Sequence, residues 1–346
     1  MKKAIIAAIF VLLCIAANAQ TLTGVVYDKE TKQPIPFAYV YFDGTSIGNF
    51  TDDAGKYTLT VSQIINTRLV VRNIGYNTVI IENPFVHLPD TIYMEEQMRI
   101  LEEITVSADP FTRQQKLKVF REQFLGQTQA GRSCKIVNED DIDVWFNVAT
   151  KTLLASSEQP IEVINEYLGY KIFFELVDFQ VDYSNVSLNQ ENVRQSFFAV
   201  ITAFVDLRPD DRRIKRRRDE VYYMSSTFFF KNLAENTLSK AGFRIIFRNE
   251  TITDFSKCFI IEDTPSLKTI QIIPNIMTGG DMPLRSDVPI STMNVIYSRR
   301  QTNVTFNTDV LLVDNYGNID KIDKVLFSGT MEQNRAGGML PMEYEP

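Results

Sequence analysis

The chain has 346 residues, of which 45% are apolar and 23% are charged, and its formal net charge is −7. This composition is typical of globular proteins, excludes a wholly disordered or collagen-like chain, and at this length indicates two or three domains. The single histidine, His87, excludes a metal site built from several histidines and any Ser-His-Asp triad that does not use His87.

The first nineteen residues have the pattern of a secretory signal peptide. Two lysines precede an apolar run over residues 4–17, and Ala19 ends a small-residue cleavage site. A lipoprotein signal would use Cys14, but a leucine precedes it where such signals need a small residue. The run is shorter than the roughly 20 residues that span a bilayer, and no later segment is long and apolar enough. We therefore expect a signal peptide at residues 1–19 and an exported mature chain without a transmembrane helix.

The mature chain is more acidic than the whole chain. Removal of the signal peptide removes two lysines, which makes the net charge −9. An exported acidic chain is not expected to bind nucleic acid. Cys134 and Cys258 remain. They can form a disulfide in an oxidising compartment, or they can stay buried thiols that pack as small hydrophobic groups.

Residues 20–97 have the pattern of a small β-sandwich. Short runs rich in valine, isoleucine, tyrosine and threonine recur between turns that contain aspartate and glycine, which is typical of short strands joined by tight turns. Aspartate side chains bind nearby backbone N–H groups in turns, and glycine accepts positive φ. The predicted strands cover residues 22–27, 38–42, 56–61, 68–72 and 78–81.

The same region resembles the carboxypeptidase-like regulatory domain. The resemblance rests on residues 24–28 (GVVYD), 33–40 (QPIPFAYV), 51–57 (TDDAGKY) and 74–76 (IGY). It implies a transthyretin-like seven-stranded β-sandwich that is non-catalytic and serves as a folding, docking or spacer module. The family occurs in exported proteins of Gram-negative bacteria, including SusC-type outer-membrane receptors. It therefore implies a location in the periplasm or at the periplasmic face of the outer membrane.

Two features of this domain invite a functional interpretation. Asp52 and Asp53, with Asp28, supply oxygen ligands that calcium prefers, although aspartates beside a glycine are more typical of a turn. His87 lies in an extended stretch between two prolines, where a lone histidine is typical of a surface or packing position.

Residues 98–113 are predicted to form a linker. Residues 100–108 (ILEEITVSA) resemble the TonB-box-like stretch that follows this domain in SusC-type receptors, and such a stretch would pair with a partner's edge strand. The alternative is an ordinary interdomain linker that ends at Pro110. The chain beyond it is too short for the barrel of such a receptor.

Residues 114–346 are predicted to form an α+β domain with mostly antiparallel strands. Apolar spacing predicts a helix over residues 115–125 and a second over roughly 219–241, ended by Gly242 as a left-handed C-cap. Strands grouped between two helices favour antiparallel pairing. The predicted strands cover residues 142–146, 152–155, 161–165, 170–179, 197–205, 243–248, 259–262, 269–273, 293–297, 310–313 and 325–328.

This region also resembles a group of exported proteins that place the same regulatory domain before a C-terminal region of unassigned activity. The resemblance rests on residues 118–126, 134–138, 168–172 and 340–346 (LPMEYEP). It implies no catalytic residue and no cofactor.

The most conspicuous local feature is a basic run in this acidic protein. Guanidinium and ammonium groups so close together in the chain can bind the phosphate or carboxylate groups of an anionic ligand or partner. The alternative is a solvated loop that leads into the helix at Asp219, with the cations paired to nearby carboxylates. The candidate residues are Arg212, Arg213, Lys215, Arg216, Arg217 and Arg218.

Two further runs invite interpretation as sites. Residues 139–143 (EDDID) carry paired carboxylates, but glycoside hydrolysis needs two carboxyls that face one cleft, and a solvated loop explains the run better. Residues 228–230 (FFF) are more typical of a helix core than of a sugar-binding platform.

The sequence therefore favours a non-catalytic exported cell-envelope protein that binds or docks and that is associated with the outer membrane or nutrient-uptake machinery. Its expected partners are an envelope protein or a glycan, peripheral membrane association is compatible with it, and no enzyme activity or cofactor is expected. The alternative is an exported carboxylate-based hydrolase that acts on glycans.

Overall fold

The computed structural model describes residues 20–97, 109–247, 250–252, 254–264, 267–274, 290–333 and 335–346. The chain divides into two compact units, the first Met1–Phe42 with Ile47–Met98 and the second Asp43–Ser46 with Arg99–Pro346. The predicted signal peptide and residues 98–108 of the predicted linker lie outside the described residues.

The first unit contains seven strands in two sheets. They are β1 (Gln20–Asp28), β2 (Tyr39–Phe42), β3 (Gly48–Phe50), β4 (Lys56–Val61), β5 (Leu69–Arg72), β6 (Val79–Ile81) and β7 (Thr91–Met94). One sheet has the order β4-β1-β7 and the other the order β3-β2-β5-β6. Residues such as Val26, Phe42 and Leu69, from both sheets, are fully buried together in one core. The predicted β-sandwich is confirmed.

Local chemistry sets the turns of this sandwich. The Asp28 carboxylate accepts hydrogen bonds from the backbone N–H groups of Glu30 (2.9 Å) and Thr31 (2.6 Å). Gly55 has φ of +72°, and a Cβ there would lie 2.5 Å from the carbonyl oxygen of Val26. Glycine is therefore the residue that this turn accepts.

The first half of the second unit is built on a six-stranded sheet. Its elements are α1 (Arg113–Leu125), α2 (Gln129–Arg132), β8 (Cys134–Ile136), β9 (Ile142–Asn147), β10 (Thr152–Ser157), β11 (Ile161–Asn165), β12 (Tyr170–Tyr183) and β13 (Val193–Asp206). The strand order is β8-β11-β12-β10-β9, and β13 pairs with the long strand β12. Helix α1 begins with a capping box between Thr112 and Gln115. It buries Phe120 and Phe124 against Phe174 and Phe179 of the sheet.

The second half has its own hydrophobic core. Its elements are α3 (Arg212–Tyr222), α4 (Ser226–Ala234), α5 (Leu238–Ala241), β14 (Arg244–Phe247), β15 (Glu250–Ile252), β16 (Phe259–Asp263), β17 (Lys268–Ile272), β18 (Ser291–Tyr297), β19 (Arg300–Phe306), β20 (Val310–Val313) and β21 (Val325–Gly329). One sheet has the order β15-β14-β18-β19-β21 and the other β16-β17-β20. Every strand pairing described in these three sheets is antiparallel, so the predicted α+β class is confirmed.

The single helix predicted over residues 219–241 is wrong. The chain forms three helices there, and the first already begins in the basic run because Asp211 caps it by accepting from the N–H groups of Arg213 (2.8 Å) and Ile214 (3.3 Å). Ser225 caps α4 by accepting a hydrogen bond from the N–H of Phe228 (3.1 Å). This cap separates α4 from α3. The predicted C-cap is confirmed, since Gly242 has a left-handed φ of +91°.

Candidate functional site

A groove of about 930 Å³ opens in the second unit. Its walls are four consecutive residues of β13 (195–198), four of β21 (325–328), the junction between α3 and α4, and a stretch of the C-terminal tail, residues 338–342. This volume is at the upper end of the range of about 300–1,000 Å³ that is typical of small-molecule sites.

The lining of the groove is apolar and almost uncharged. Phe197 is 47% exposed, and Leu326 and Ile322 are each 57% exposed. Large apolar side chains at this exposure, gathered in one concavity, are typical of a binding surface. The polar lining side chains of the described residues are hydroxyls and amides apart from one cation, Arg335, and none is a carboxylate.

The β13 wall is the edge of the six-stranded sheet. Strand β12 pairs with one side of β13. On the other side, near the C-terminal end of β13, the Gly44 N–H donates to the Thr202 carbonyl (2.8 Å) and the Phe204 N–H donates to the Thr45 carbonyl (2.9 Å). Thr45 thereby forms a parallel bridge with Ala203. This edge already accepts β-pairing over part of its length.

The C-terminal tail is fixed by side-chain hydrogen bonds to both halves of the second unit. Asn165 donates its amide to the Gly337 carbonyl (2.8 Å), and Asn318 donates to the Met342 carbonyl (3.0 Å). The Tyr344 hydroxyl donates to the Asp219 carboxylate at 2.5 Å. These bonds hold the tail as a fixed wall of the groove.

Arg218, one of the predicted site residues, points inward from α3. Its guanidinium donates to both Asp206 oxygens (2.7 and 2.8 Å) and to the Leu168 carbonyl (2.7 Å), and lies 3.9 Å from the centre of the Tyr170 ring. Burial raises the pKa of Asp206, but hydrogen bonds from Arg218 and from the Arg208 N–H lower it more, so the pKa lies below its ordinary value. The pair is an ionised internal contact.

The remaining predicted cations lie on or near the surface of the same helix. Arg217 stacks over the Tyr167 ring at 4.6 Å. Lys215 pairs with Asp219, and Arg216 with Glu220, each at 3.5 Å and one turn apart. Helix α3 therefore brings three exposed arginines to one side while it takes Arg218 inside. These exposed residues are Arg212, Arg213 and Arg216.

The candidate calcium ligands of the first unit serve turns. Asp52 accepts from the N–H groups of Ala54 (2.9 Å) and Lys56 (2.8 Å). Asp28 caps its own turn and accepts from the Tyr76 hydroxyl at 3.0 Å. Over the residues that the structure describes, no group of three or more histidine, cysteine, aspartate or glutamate side chains is placed to hold a metal ion.

The acidic run 139–143 and the aromatic run 228–230 also have structural contacts. Glu139 pairs with Arg121, and the Asn138 amide donates to Asp141 at 3.0 Å. Phe229 and Phe230 are fully buried in the second core, so this aromatic run belongs to the core.

The two cysteines lie in different cores and are not joined by a disulfide. Burial raises the pKa of the Cys134 thiol to about 12, and this thiol donates to the Ala130 carbonyl at 3.3 Å. Cys258 is fully buried. The buried-thiol alternative is the one that the structure shows.

One carboxyl in the second unit has a raised pKa. Burial raises the pKa of Glu343, and hydrogen bonds to its Oε1 from the Ser46 N–H (2.7 Å) and hydroxyl (2.6 Å) offset this only in part. Its Oε2 is buried without a hydrogen-bond partner among the described atoms. Glu343 is not among the groove-lining residues. Glycoside hydrolysis would need two carboxyls facing one cleft, and the described lining supplies hydroxyls and amides.

The groove could not be predicted from local sequence signals. It joins residues 195–198 of β13 to residues 325–328 of β21. Strand β19, which contributes Asn303 and Thr305 to the lining, is not among the predicted strands. The alternation of Thr302, Val304 and Phe306, all buried, is a strand signal that would have found β19.

Comparison with known families supports the interpretation of the N-terminal region. A family model for the CarboxypepD_reg-like domain matches residues 22–106. The match confirms the predicted N-terminal regulatory domain, which is non-catalytic. A search of the curated proteins found no match to the chain. Among the described residues, no helix combines the length and the apolar character needed to cross a membrane.

Proposed function

We propose that the protein is an exported, non-catalytic binding module of the cell envelope, and that the groove of the second unit holds its ligand. The observation that carries the proposal is the lining, in which exposed apolar side chains are combined with hydroxyls and amides but with no described carboxylate. The signal-peptide pattern and the non-catalytic regulatory domain support a binding role in the periplasm or at the periplasmic face of the outer membrane.

The groove is tested by capture from a cell-envelope extract on the immobilised mature chain, with bound peptides, lipids and glycans identified by mass spectrometry. The groove variant carries Leu326→Glu and Ile322→Glu. The matched control carries Ile260→Glu and Val177→Glu, which charge two apolar side chains of similar exposure (49% and 63%) outside the groove. We expect wild type and control to retain the same ligand and the groove variant to lose it, because a buried charge against an apolar ligand is costly.

Equal capture by the groove variant, or no capture by wild type, would overturn the proposal. Shortening of a captured glycan during incubation would support the hydrolase instead.

We propose a second contact at the exposed side of α3, where Arg212, Arg213 and Arg216 would bind an anionic component of the outer membrane or of its nutrient-uptake machinery. The helix supports this proposal because its three exposed arginines, at positions i, i+1 and i+4, lie on one side of a helix. Replacing all three by serine should weaken sedimentation with anionic envelope vesicles. Replacing three scattered exposed lysines, Lys118, Lys135 and Lys240, removes the same charge and should not. Equal loss in both variants would show a nonspecific charge effect and reject the site.

A further inference from the structure

The edge of β13 continues into the groove with its backbone groups directed outward. Neighbouring residues of a strand direct their N–H and C=O groups to opposite sides, so every second residue faces the same side. Thr202 and Phe204 face away from β12, because they bond Gly44 and Thr45. The register shift at Val177 is an extra residue of β12. Strand β13 has no extra residue between 195 and 206, so its residues alternate in direction without interruption. Ser196, Phe198 and Val200 therefore face the same outer side as Thr202.

This outer side is paired near its end and open where it meets the groove. Among the described residues, no backbone bond joins Ser196, Phe198 or Val200 to any strand other than β12. Ser196 and Phe198 line the groove. An exposed edge of this kind is a template for the addition of another strand.

The remaining walls suit the side chains of an added strand. Phe197 of β13 and Leu326 of β21 are both exposed in the groove, so apolar side chains of an extended segment would be covered. Thr305 and Asn303 offer hydrogen bonds to polar side chains. With one lining cation and no described lining carboxylate, the groove offers no complement to a highly charged segment.

We propose that the ligand of the groove is an extended, uncharged peptide segment of another envelope protein, which adds to the β13 edge at Ser196–Phe198 and lays its apolar side chains against Phe197 and Leu326. This inference rests on the proposed function and names its ligand class. Residues 44–45 support it, because they already pair with the continuation of the same edge. Main-chain hydrogen bonds would supply affinity, and the apolar walls would select alternate side chains.

The probe is a capped, fluorescently labelled seven-residue peptide of alternating valine and threonine, titrated onto the mature chain and followed by fluorescence anisotropy. Two further peptides are N-methylated, one at every valine and one at every threonine, so each lacks the donors of one strand edge. We expect at least one of the two methylated peptides to bind at least about tenfold more weakly than the parent peptide, because each backbone hydrogen bond contributes about 0.5–1.5 kcal/mol.

Two substitutions at one position separate the backbone from the side chain. Ser196→Pro removes an outward N–H that β12 does not use, and proline is tolerated at a strand edge. It should weaken peptide binding about tenfold. Ser196→Ala keeps the N–H and removes the hydroxyl that accepts from Arg335 at 3.4 Å, and it should change binding by less than about threefold. Circular dichroism of both variants checks that the sheet is retained.

The outcomes distinguish this inference from the proposed function. If both methylated peptides bind as tightly as the parent, or if Ser196→Pro binds normally, strand addition is wrong. A loss of binding in Leu326→Glu would then still support a groove ligand held by side chains. Failure of the parent peptide to bind, with capture of an envelope lipid or glycan that depends on Leu326, overturns the peptide class alone. No ligand in either experiment overturns both.

Discussion

The inner and outer faces of helix α3 carry the same kind of side chain in different surroundings. Arg218 lies on the inner face with Ile214 and Tyr222, and all three are buried. Arg216, two positions earlier, has a side chain that is 83% exposed and pairs with Glu220 at 3.5 Å. The spacing of four residues along the inner face follows the helical period. Position on the helix, rather than charge density, therefore decides which cation stabilises the fold.

The two ion pairs differ in how much water they displace from the arginine side chain. Arg218 gives up water for two carboxylate oxygens and backbone carbonyls in a site where its side chain is 6% exposed. Arg216 keeps most of its water. Removing one partner of the Arg218–Asp206 pair leaves the other charge poorly solvated. Removing one partner of the Arg216–Glu220 pair lets water take its place.

The largest expected effect comes from Arg218→Met. This change keeps the apolar stem of the side chain but removes the guanidinium group. Asp206 is then left with the Arg208 N–H as its remaining described donor, and the carbonyls of residues 168 and 169 each lose one donor. We expect a loss of about 3 kcal/mol in the free energy of unfolding. Urea unfolding followed by the fluorescence of Trp145, the single tryptophan, measures it within the second unit. An unchanged midpoint would show that the inner pair contributes no net stability.

Acid should weaken the same pair without a mutation. Because the pKa of Asp206 is lowered in the folded chain, its contribution is present above the unfolded value of 3.8 and is lost as pH falls through the folded pKa. The stability difference between wild type and Arg218→Met should therefore be constant near neutral pH and narrow below about pH 4. Urea midpoints of both proteins across this range test the sign. A gap that widens in acid would contradict the assignment.

Local sequence signals predicted part of the fold. Strand runs bounded by aspartate and glycine predicted five of the seven strands of the first unit, because these signals are local. β3 (Gly48–Phe50) contains glycine and asparagine, which are depleted in strands, and β7 (Thr91–Met94) follows directly on the proline-bracketed stretch around His87. Apolar spacing predicted helix α1 and its end at Leu125, although the helix begins at Arg113 and not at residue 115. The breaks between α3, α4 and α5 depend on Ser225 and on Asn236, which has a φ of +55°.

The candidate sites were harder to predict for a physical reason. The run 212–218 was visible as charge, but the inward turn of Arg218 depends on Asp206 and on carbonyls of residues 168 and 169, which only the fold brings together. The groove likewise depends on two strand edges that are remote in the chain. Periodicity reports which face of one element is apolar, and it does not report which other element that face meets.

A smaller effect is expected from Tyr344→Phe, which removes the tail's hydrogen bond to the same helix. The hydroxyl donates to the Asp219 carboxylate at 2.5 Å, and we expect a loss of about 1.5 kcal/mol, as for other bonds to charged groups. Tyr223→Phe is the control, since the Tyr223 side chain is partly exposed and no hydrogen bond of its hydroxyl is described. Hydrogen exchange of residues 338–344 should quicken in the first variant and not in the second. Equal exchange in both would show that other contacts hold the tail.

The smallest expected effect is that of Arg216→Met, the same substitution as at Arg218 but on the outer face. An exposed pair one turn apart contributes little, because its attraction is screened and ordering both side chains costs entropy. We expect the free energy of unfolding to stay within about 0.5 kcal/mol of wild type, while binding to anionic envelope vesicles falls. A stability loss comparable to that of Arg218→Met would show that the outer arginines also stabilise the fold. In that case the charge of the run would be accounted for by folding alone, and the anionic contact would lose its support.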